Sequence, residues 1–420
     1  MTAHDLTPTP VNPAWLLPGT QVGGYIVRRA LSHGNAQMTY LAEGPRERPV
    51  VLKISLFPKG ERDSESRTMH RRFLRQVAFF LEMEGVPGVA KVFAYGMHPD
   101  ASRDGHLYMA QEWVPESRNI SDWCREQPHP LNIIVCGWVM LAAACGEMAR
   151  RGICHRDLTA NNILMTPQGV PKIVDFISGI GPGAERLTWP SARCVPGTPS
   201  SYSPEHCEAI LEEYATRRPV PFQYLPTADL HALGVIFYEV LTGKHPFGHA
   251  KGEALYEAIA HRMPERPRVL TPDVPFGLEK VTMKLLQKKP ELRYQSGDQL
   301  ALDLEALFAT GEDWSRPFQT PRRRRHLAPL QAARRPPDST RKQTHAPAAV
   351  GSATPAPPSA IVLAGPRAIA VPGRLTPAPA PRAPRRRRRR LAVALLALGV
   401  ASLVLGWLLV TGAPWVPFAH

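Results

Sequence analysis

Three features of this 420-residue sequence predict an α+β fold with two lobes, followed by a linker and one apolar span. Short alternating apolar runs fill the front, such as Tyr25-Ile26-Val27 and Val50-Val51-Leu52-Lys53-Ile54, and these read as strands. Helical periodicities take over later, at 233–241 and 278–286. Near residue 312 the globular mixture gives way to Pro, Ala and Arg. A strand-rich front and a helix-rich back make two lobes of one unit, which ends where the composition changes.

Taken in order, residues 1–20 carry Pro8, Pro10, Pro13 and Pro18 with no apolar run of signal length, and read as a solvated arm. Residues 21–311 form the globular domain. Residues 312–390 lack the apolar surface to offset their ordering entropy and read as a disordered linker. Six arginines at 385–390 then abut an uncharged stretch from Leu391, assigned as a transmembrane helix over 391–411. At a rise of about 1.5 Å per residue, twenty residues match the hydrocarbon thickness. The arginines fix orientation, with the long N-terminal part cytoplasmic and residues 412–420 on the far side. The expected location is the cell membrane, as a single-pass protein.

Charge is just as unevenly placed. Residues 1–311 hold 33 basic and 33 acidic side chains, whereas 312–420 hold 18 and 3. The net charge of +15 thus belongs to the linker, and no specific nucleic-acid partner is indicated for the folded part. None of the six cysteines forms a C-x-x-C pair, so neither a zinc site nor a disulfide framework is expected.

Chemistry concentrates in His155-Arg156-Asp157-Leu158-Thr159-Ala160-Asn161-Asn162-Ile163-Leu164. An Asp and an Asn five residues apart on a loop can serve one phosphoryl-transfer site, the Asp orienting a hydroxyl and the Asn amide oxygen holding a metal ion. Ile173-Val174-Asp175-Phe176 follows, and Gly197-Thr198-Pro199 precedes Ser203-Pro204-Glu205. Asp229-Leu230-His231-Ala232-Leu233-Gly234 and Arg293 come later, and Lys53 closes an apolar strand about a hundred residues before Asp157. In these motifs and their order, residues 23–310 resemble the protein-kinase family, of the bacterial serine/threonine type.

The resemblance implies a two-lobed protein-kinase fold using ATP and Mg2+. Asp157, Lys53 and Asn162 would be catalytic, with Asn162 and Asp175 on the metal. Lys53, Gly34, Glu112, Val114 and Leu164 would hold the nucleotide. Asp229 would anchor the catalytic-loop backbone, Arg293 would pair with Glu205, and Thr198 would contact the catalytic loop. The implied substrates are protein Ser/Thr hydroxyls. Thr188, Ser191 and Ser178 are candidate phosphosites, with Arg156 placed to receive the phosphate. Regulation is expected from dimerisation in the membrane, cytoplasmic partners or autophosphorylation.

Four features depart from the family pattern. The glycine-rich loop reads Ser32-His33-Gly34-Asn35-Ala36-Gln37, keeping only Gly34. The helix that should offer Lys53 a Glu carries Gln76 there, with Glu82 six residues on. Ile177 replaces the glycine after Asp175-Phe176. Thr159 replaces a Lys, removing positive charge near the γ-phosphate. These departures motivate the alternative of a pseudokinase that binds nucleotide or partners with weak or no transfer.

Overall fold

The computed structural model describes residues 16–34, 36–58, 64–98, 105–181, 188–189 and 191–321. The chain divides into two units, 1–332 and 333–420, and every described residue falls in the first. The apolar span 391–411, the tail 412–420 and all but the first residues of the linker lie outside them.

The front of the chain forms one antiparallel sheet. Its strands are β1 (Gln21–Val22), β2 (Tyr25–His33), β3 (Gln37–Glu43), β4 (Pro49–Pro58), β5 (Val92–His98) and β6 (His106–Glu112), in the order β1-β2-β3-β4-β6-β5. Helix α1 (Ser64–Glu82) lies between β4 and β5 in sequence. Strand alternation divides the sheet's faces. Met38, Tyr40, Val50, Leu52 and Ile54 close one small core. The alternate residues Gln37, Thr39, Val51 and Lys53 turn to the other face, where they line a cavity. Leu16 joins that small core, and Gly19 N–H donates to the Val27 carbonyl. The folded domain therefore begins several residues inside the arm assigned to 1–20.

The back of the chain is helical. Its elements are β7 (Arg118–Asn119), α2 (Ile120–Glu126), β8 (His129–Pro130), α3 (Leu131–Arg150), β9 (Ile163–Met165), β10 (Pro171–Ile173), β11 (Thr188–Trp189), α4 (Pro204–Thr216), β12 (Phe222–Gln223), α5 (Pro226–Thr242), α6 (Glu253–His261), α7 (Pro267–Leu270), α8 (Phe276–Leu285) and α9 (Gly297–Ala306). Among the described residues α3 is the one helix long and apolar enough to cross a membrane, yet 61% of its apolar window is buried inside the domain. It is a core helix: Trp138 of α3 stacks on Phe237 of α5 with ring centroids 3.8 Å apart. Helices α3 and α9 cross so closely that a Cβ on Gly297 would sit 2.1 Å from the Ala142 carbonyl oxygen. Only glycine fits there.

One boundary needs correction. The domain was expected to end at residue 311, but the chain to Pro321 packs onto it. Strand β13 (Pro317–Phe318) pairs with β8, and Trp314 and Phe318 are buried. Thr320 donates its hydroxyl to the Val240 carbonyl at 2.6 Å and its N–H to the Cys124 carbonyl. Two aromatic side chains in a Pro- and Arg-rich text are too sparse to show a period, yet each buries a large apolar area.

Candidate active site

Between the sheet and the helical part lies a cavity of about 290 Å3. Gly34, Lys53, Glu112, Val114, Asn162, Leu164 and Asp175 all line it. Asp157, the remaining residue singled out from the sequence, stands beside it and accepts from Asn162.

The catalytic loop is held from below by buried groups. Asp229, at the start of α5, accepts the His155 N–H (2.7 Å) and the Arg156 N–H (2.9 Å), and Tyr224 donates its hydroxyl to the same carboxylate at 3.1 Å. Burial pushes the Asp229 carboxyl up to about 6, and those donors oppose the rise. Arg156 sits at φ 67°, a left-handed conformation that costs a non-glycine residue roughly 1–3 kcal/mol and persists only when its surroundings fix it. Here Asp229 fixes its N–H, and its guanidinium donates to the Ser178 carbonyl at 2.6 Å. His155 is buried against the Phe176 ring, and burial lowers its imidazole to about 4, so it is neutral.

On that loop the Asp157 Oδ1 accepts from both the N–H (2.9 Å) and the hydroxyl (2.6 Å) of Thr198. Asn162 donates its Nδ2 to the Asp157 carbonyl at 2.7 Å, which turns its amide oxygen away from that bond. Burial raises the Asp157 pKa, and the Thr198 hydroxyl opposes the rise. Across the cavity the Lys53 ammonium donates to the Val174 carbonyl at 2.5 Å and lies 3.9 Å from Asp175 Oδ2. Burial lowers the Lys53 pKa and the Asp175 charge counters it. Asp175 Oδ1 accepts the Ile177 N–H at 2.9 Å, while Phe176 packs edge-on against Phe80. Ile177 has no positive φ, so this conformation does not require the glycine it replaces.

The donor set suits a hard cation. Asp175 and Asn162 supply a carboxylate and an amide oxygen, and Mg2+ typically takes one or two protein oxygens with phosphate and water completing its shell.

A protein kinase domain model matches residues 42–301, more than half of the chain. The chain belongs to the protein kinase family. The chain is 30% identical over 292 residues to the DNA damage-responsive serine/threonine-protein kinase RqkA of Deinococcus radiodurans, covering 68% of this chain and 40% of that protein. It is 29% identical over 315 residues to the serine/threonine-protein kinase PknA of Mycobacterium tuberculosis, covering 72% and 65%. To PrkC of Bacillus subtilis it is 27% identical over 302 residues, covering 70% and 42%. It thus spans less than two thirds of each relative's length.

Several family expectations have a geometric counterpart. Arg293 pairs with Glu205 at 2.6 Å, its side chain fully buried. The question of the Lys53 partner has an unexpected answer. Glu82 is exposed at the end of α1. Gln76 is buried in the site but bonds elsewhere, donating to Gln37 Oε1 at 3.0 Å and accepting the Phe176 N–H at 3.1 Å. Among the candidate phosphosites, Ser178 is buried, Ser191 donates its hydroxyl to Glu213, and the Thr188 side chain lies outside the described residues. Sequence reasoning missed Gln37 and the side chain of Gln111 as site residues. Gln111 is buried, lines the same cavity, and its amide nitrogen has no hydrogen-bond partner among the described residues. A polar residue breaking the apolar Leu107–Ala110 run was the available signal.

Proposed function

We propose that this kinase transfers the γ-phosphoryl group of ATP, held with Mg2+, to serine and threonine hydroxyls of proteins. The observation that carries this is the grip on Asp157: Thr198 fixes one carboxylate oxygen twice and Asn162 approaches the other at 3.3 Å. A carboxylate so fixed can orient an acceptor hydroxyl and take its proton. The acceptor oxygen forms a bond to the γ-phosphorus, the bond to the β,γ-bridging oxygen breaks, and ADP leaves. Asp175 and Asn162 would hold Mg2+, which when bound neutralises phosphate charge. Lys53 would meet the phosphates, and the backbone of Glu112 and Val114 the base edge. A second, polar cavity of about 410 Å3 borders Thr159, Asn161, Thr198 and Lys244, giving an acceptor segment room beside Asp157.

The anchor belongs to the same reading. The uncharged stretch behind six arginines would tether the kinase to the cell membrane with its catalytic part cytoplasmic, and homodimerisation through that span would be one route of control.

One observation favours a nucleotide-binding protein with little transfer: among the described side chains, no carboxylate from α1 reaches Lys53. Purified chain incubated with γ-labelled ATP, Mg2+ and a mixed protein substrate separates the two. Label on Ser and Thr that disappears with Asp157→Asn supports the kinase. No label from wild type, with ATP still raising its melting temperature, supports the binding protein.

A further inference from the structure

Two of the departures from the family pattern touch each other. Gln37 stands where the glycine-rich loop should have its last glycine, and Gln76 where α1 should present a Glu. Both are buried, and their amides form a chain. Phe176 N–H donates to Gln76 Oε1 (3.1 Å), Gln76 Nε2 donates to Gln37 Oε1 (3.0 Å), and Gln37 Nε2 donates to Asp175 Oδ2 (3.1 Å). The polarity of this chain is fixed at both ends. A backbone N–H can only donate and a carboxylate can only accept, so neither amide can flip without losing bonds.

The elements around it bury the Gln76 end of the chain. Phe73, Val77 and Phe80 share the buried face of α1 with Gln76, and Phe80 meets Phe176 edge-on at 4.8 Å. Gln37 opens β3 on the cleft face, in line with Thr39, whose β4 partner is Lys53. The relay therefore ties three pieces to one carboxylate: helix α1, the first residue of β3, and the backbone of Phe176. With the Ile177 N–H on Oδ1, both oxygens of Asp175 are held.

We propose that Gln37 and Gln76 form a neutral relay that positions Asp175 for its metal ion, in place of a carboxylate on α1 acting through Lys53. The inference rests on the Mg-ATP reading of the site. Both glutamines are positioning residues, for neither is assigned to substrate or metal. An oxygen ligand whose outer hydrogen-bond partner is removed typically loses about 10- to 100-fold in metal affinity. Without Gln37 the Asp175 carboxylate keeps the Ile177 N–H and the Lys53 ammonium 3.9 Å away, and is free to swing closer to Lys53.

The test uses the purified full chain and Gln37→Met, Gln76→Met, the double variant and Gln76→Glu, with circular dichroism melts to establish that each folds. Affinity for a non-hydrolysable ATP analogue is measured by calorimetry, with Mg2+ and with EDTA. Gln37→Met is expected to lose about tenfold in the Mg2+-dependent gain, read as the ratio of its affinity with Mg2+ to its affinity in EDTA, whatever the change in the EDTA value itself. The double variant is expected to match the worse single variant within about twofold, because links of one chain are not additive. In metal-free protein, amide exchange at Phe176 is expected to quicken in Gln76→Met and not in Gln37→Met.

Gln76→Glu at pH 8 gives the sharpest contrast. It restores the family's residue type but cannot, as a carboxylate, donate to Gln37, so the relay predicts weaker Mg2+-dependent binding and slower transfer. A rise in either would overturn the relay and make Gln76 a poor substitute partner for Lys53. Unchanged Mg2+ dependence in both methionine variants, beside a clear Mg2+ dependence in wild type, overturns it as well. A wild type with no Mg2+ dependence removes the Mg-ATP reading, and the relay with it.

Discussion

The floor and the roof of the cleft solve the same problem with different chemistry. On the floor, charged groups are caught in fixed frames: Asp229 under the loop backbone, Thr198 on Asp157, Glu205 on Arg293. On the roof the Lys53 ammonium rests on a backbone carbonyl, and two neutral amides do the linking. Groups that meet reacting atoms are constrained by charge and by oxygen chemistry. Groups that merely hold them need only a bond of the right direction, so an amide chain can replace an ion pair.

That contrast can be broken at several points. Asp157→Asn on the floor should cut kcat by roughly 10^2- to 10^4-fold, the range for a positioned proton acceptor, with ATP binding retained in calorimetry. A loss below tenfold would mean that the floor carries less of the chemistry than its geometry suggests. Next comes Arg293→Met, which leaves the Glu205 carboxylate and the Lys288 and Gln287 carbonyls without their donor. Breaking a buried pair costs about 3–5 kcal/mol, measurable by denaturant unfolding.

Acid should act on the floor more gently. Burial holds His155 and His206 at about 4, below their usual 6.5, so in that window the unfolded chain binds more protons than the native one. Stability from these two is complete above pH 6.5 and is lost as pH falls toward 4. Asp229, raised to about 6 from 3.8, works the other way, gaining native protons between those values. Burial also lowers His231, His129, His245 and His98 and raises Asp157, so lowered histidines outnumber raised carboxyls and the melting temperature falls on acidification from pH 6.5 to 4. A rise would show that the Asp229 proton dominates.

The smallest effect is expected on the roof. Gly34 has no positive φ, and an added Cβ would approach only the Gln37 carbonyl, at 3.2 Å. Gly34→Ala should therefore change KM for ATP by less than about threefold, since no left-handed conformation is disturbed. A much larger change would restore the importance of the one glycine this loop retains.

Much of the floor was legible in the text. His155, Asp157 and Asn162 lie within eight residues, so a local pattern carries their relation, and Asp175 follows at fixed distance. The alternation around Lys53 put it on one face of a strand before any partner was known. The roof was not legible in the same way. Gln37, Gln76 and Asp175 are separated by 39 and about a hundred residues, and each amide alone looks like a lost functional group. The tail shows the same failure from another cause, because Trp314 and Phe318 have no period to announce a packed segment.

By itself, then, the sequence determined the division into strands and helices, the family-like motifs and the identity of the groups able to handle phosphate and metal. Those follow from periodicity and from what each side chain can donate, accept or carry, which are local properties. Tertiary structure alone decided that Gln76 serves Gln37 and Phe176 rather than Lys53, that Arg156 spends its guanidinium on the Ser178 carbonyl, and that the chain through Pro321 packs onto the domain. Hydrogen-bond direction and burial depend on which neighbours arrive in space, and chain spacing does not record them.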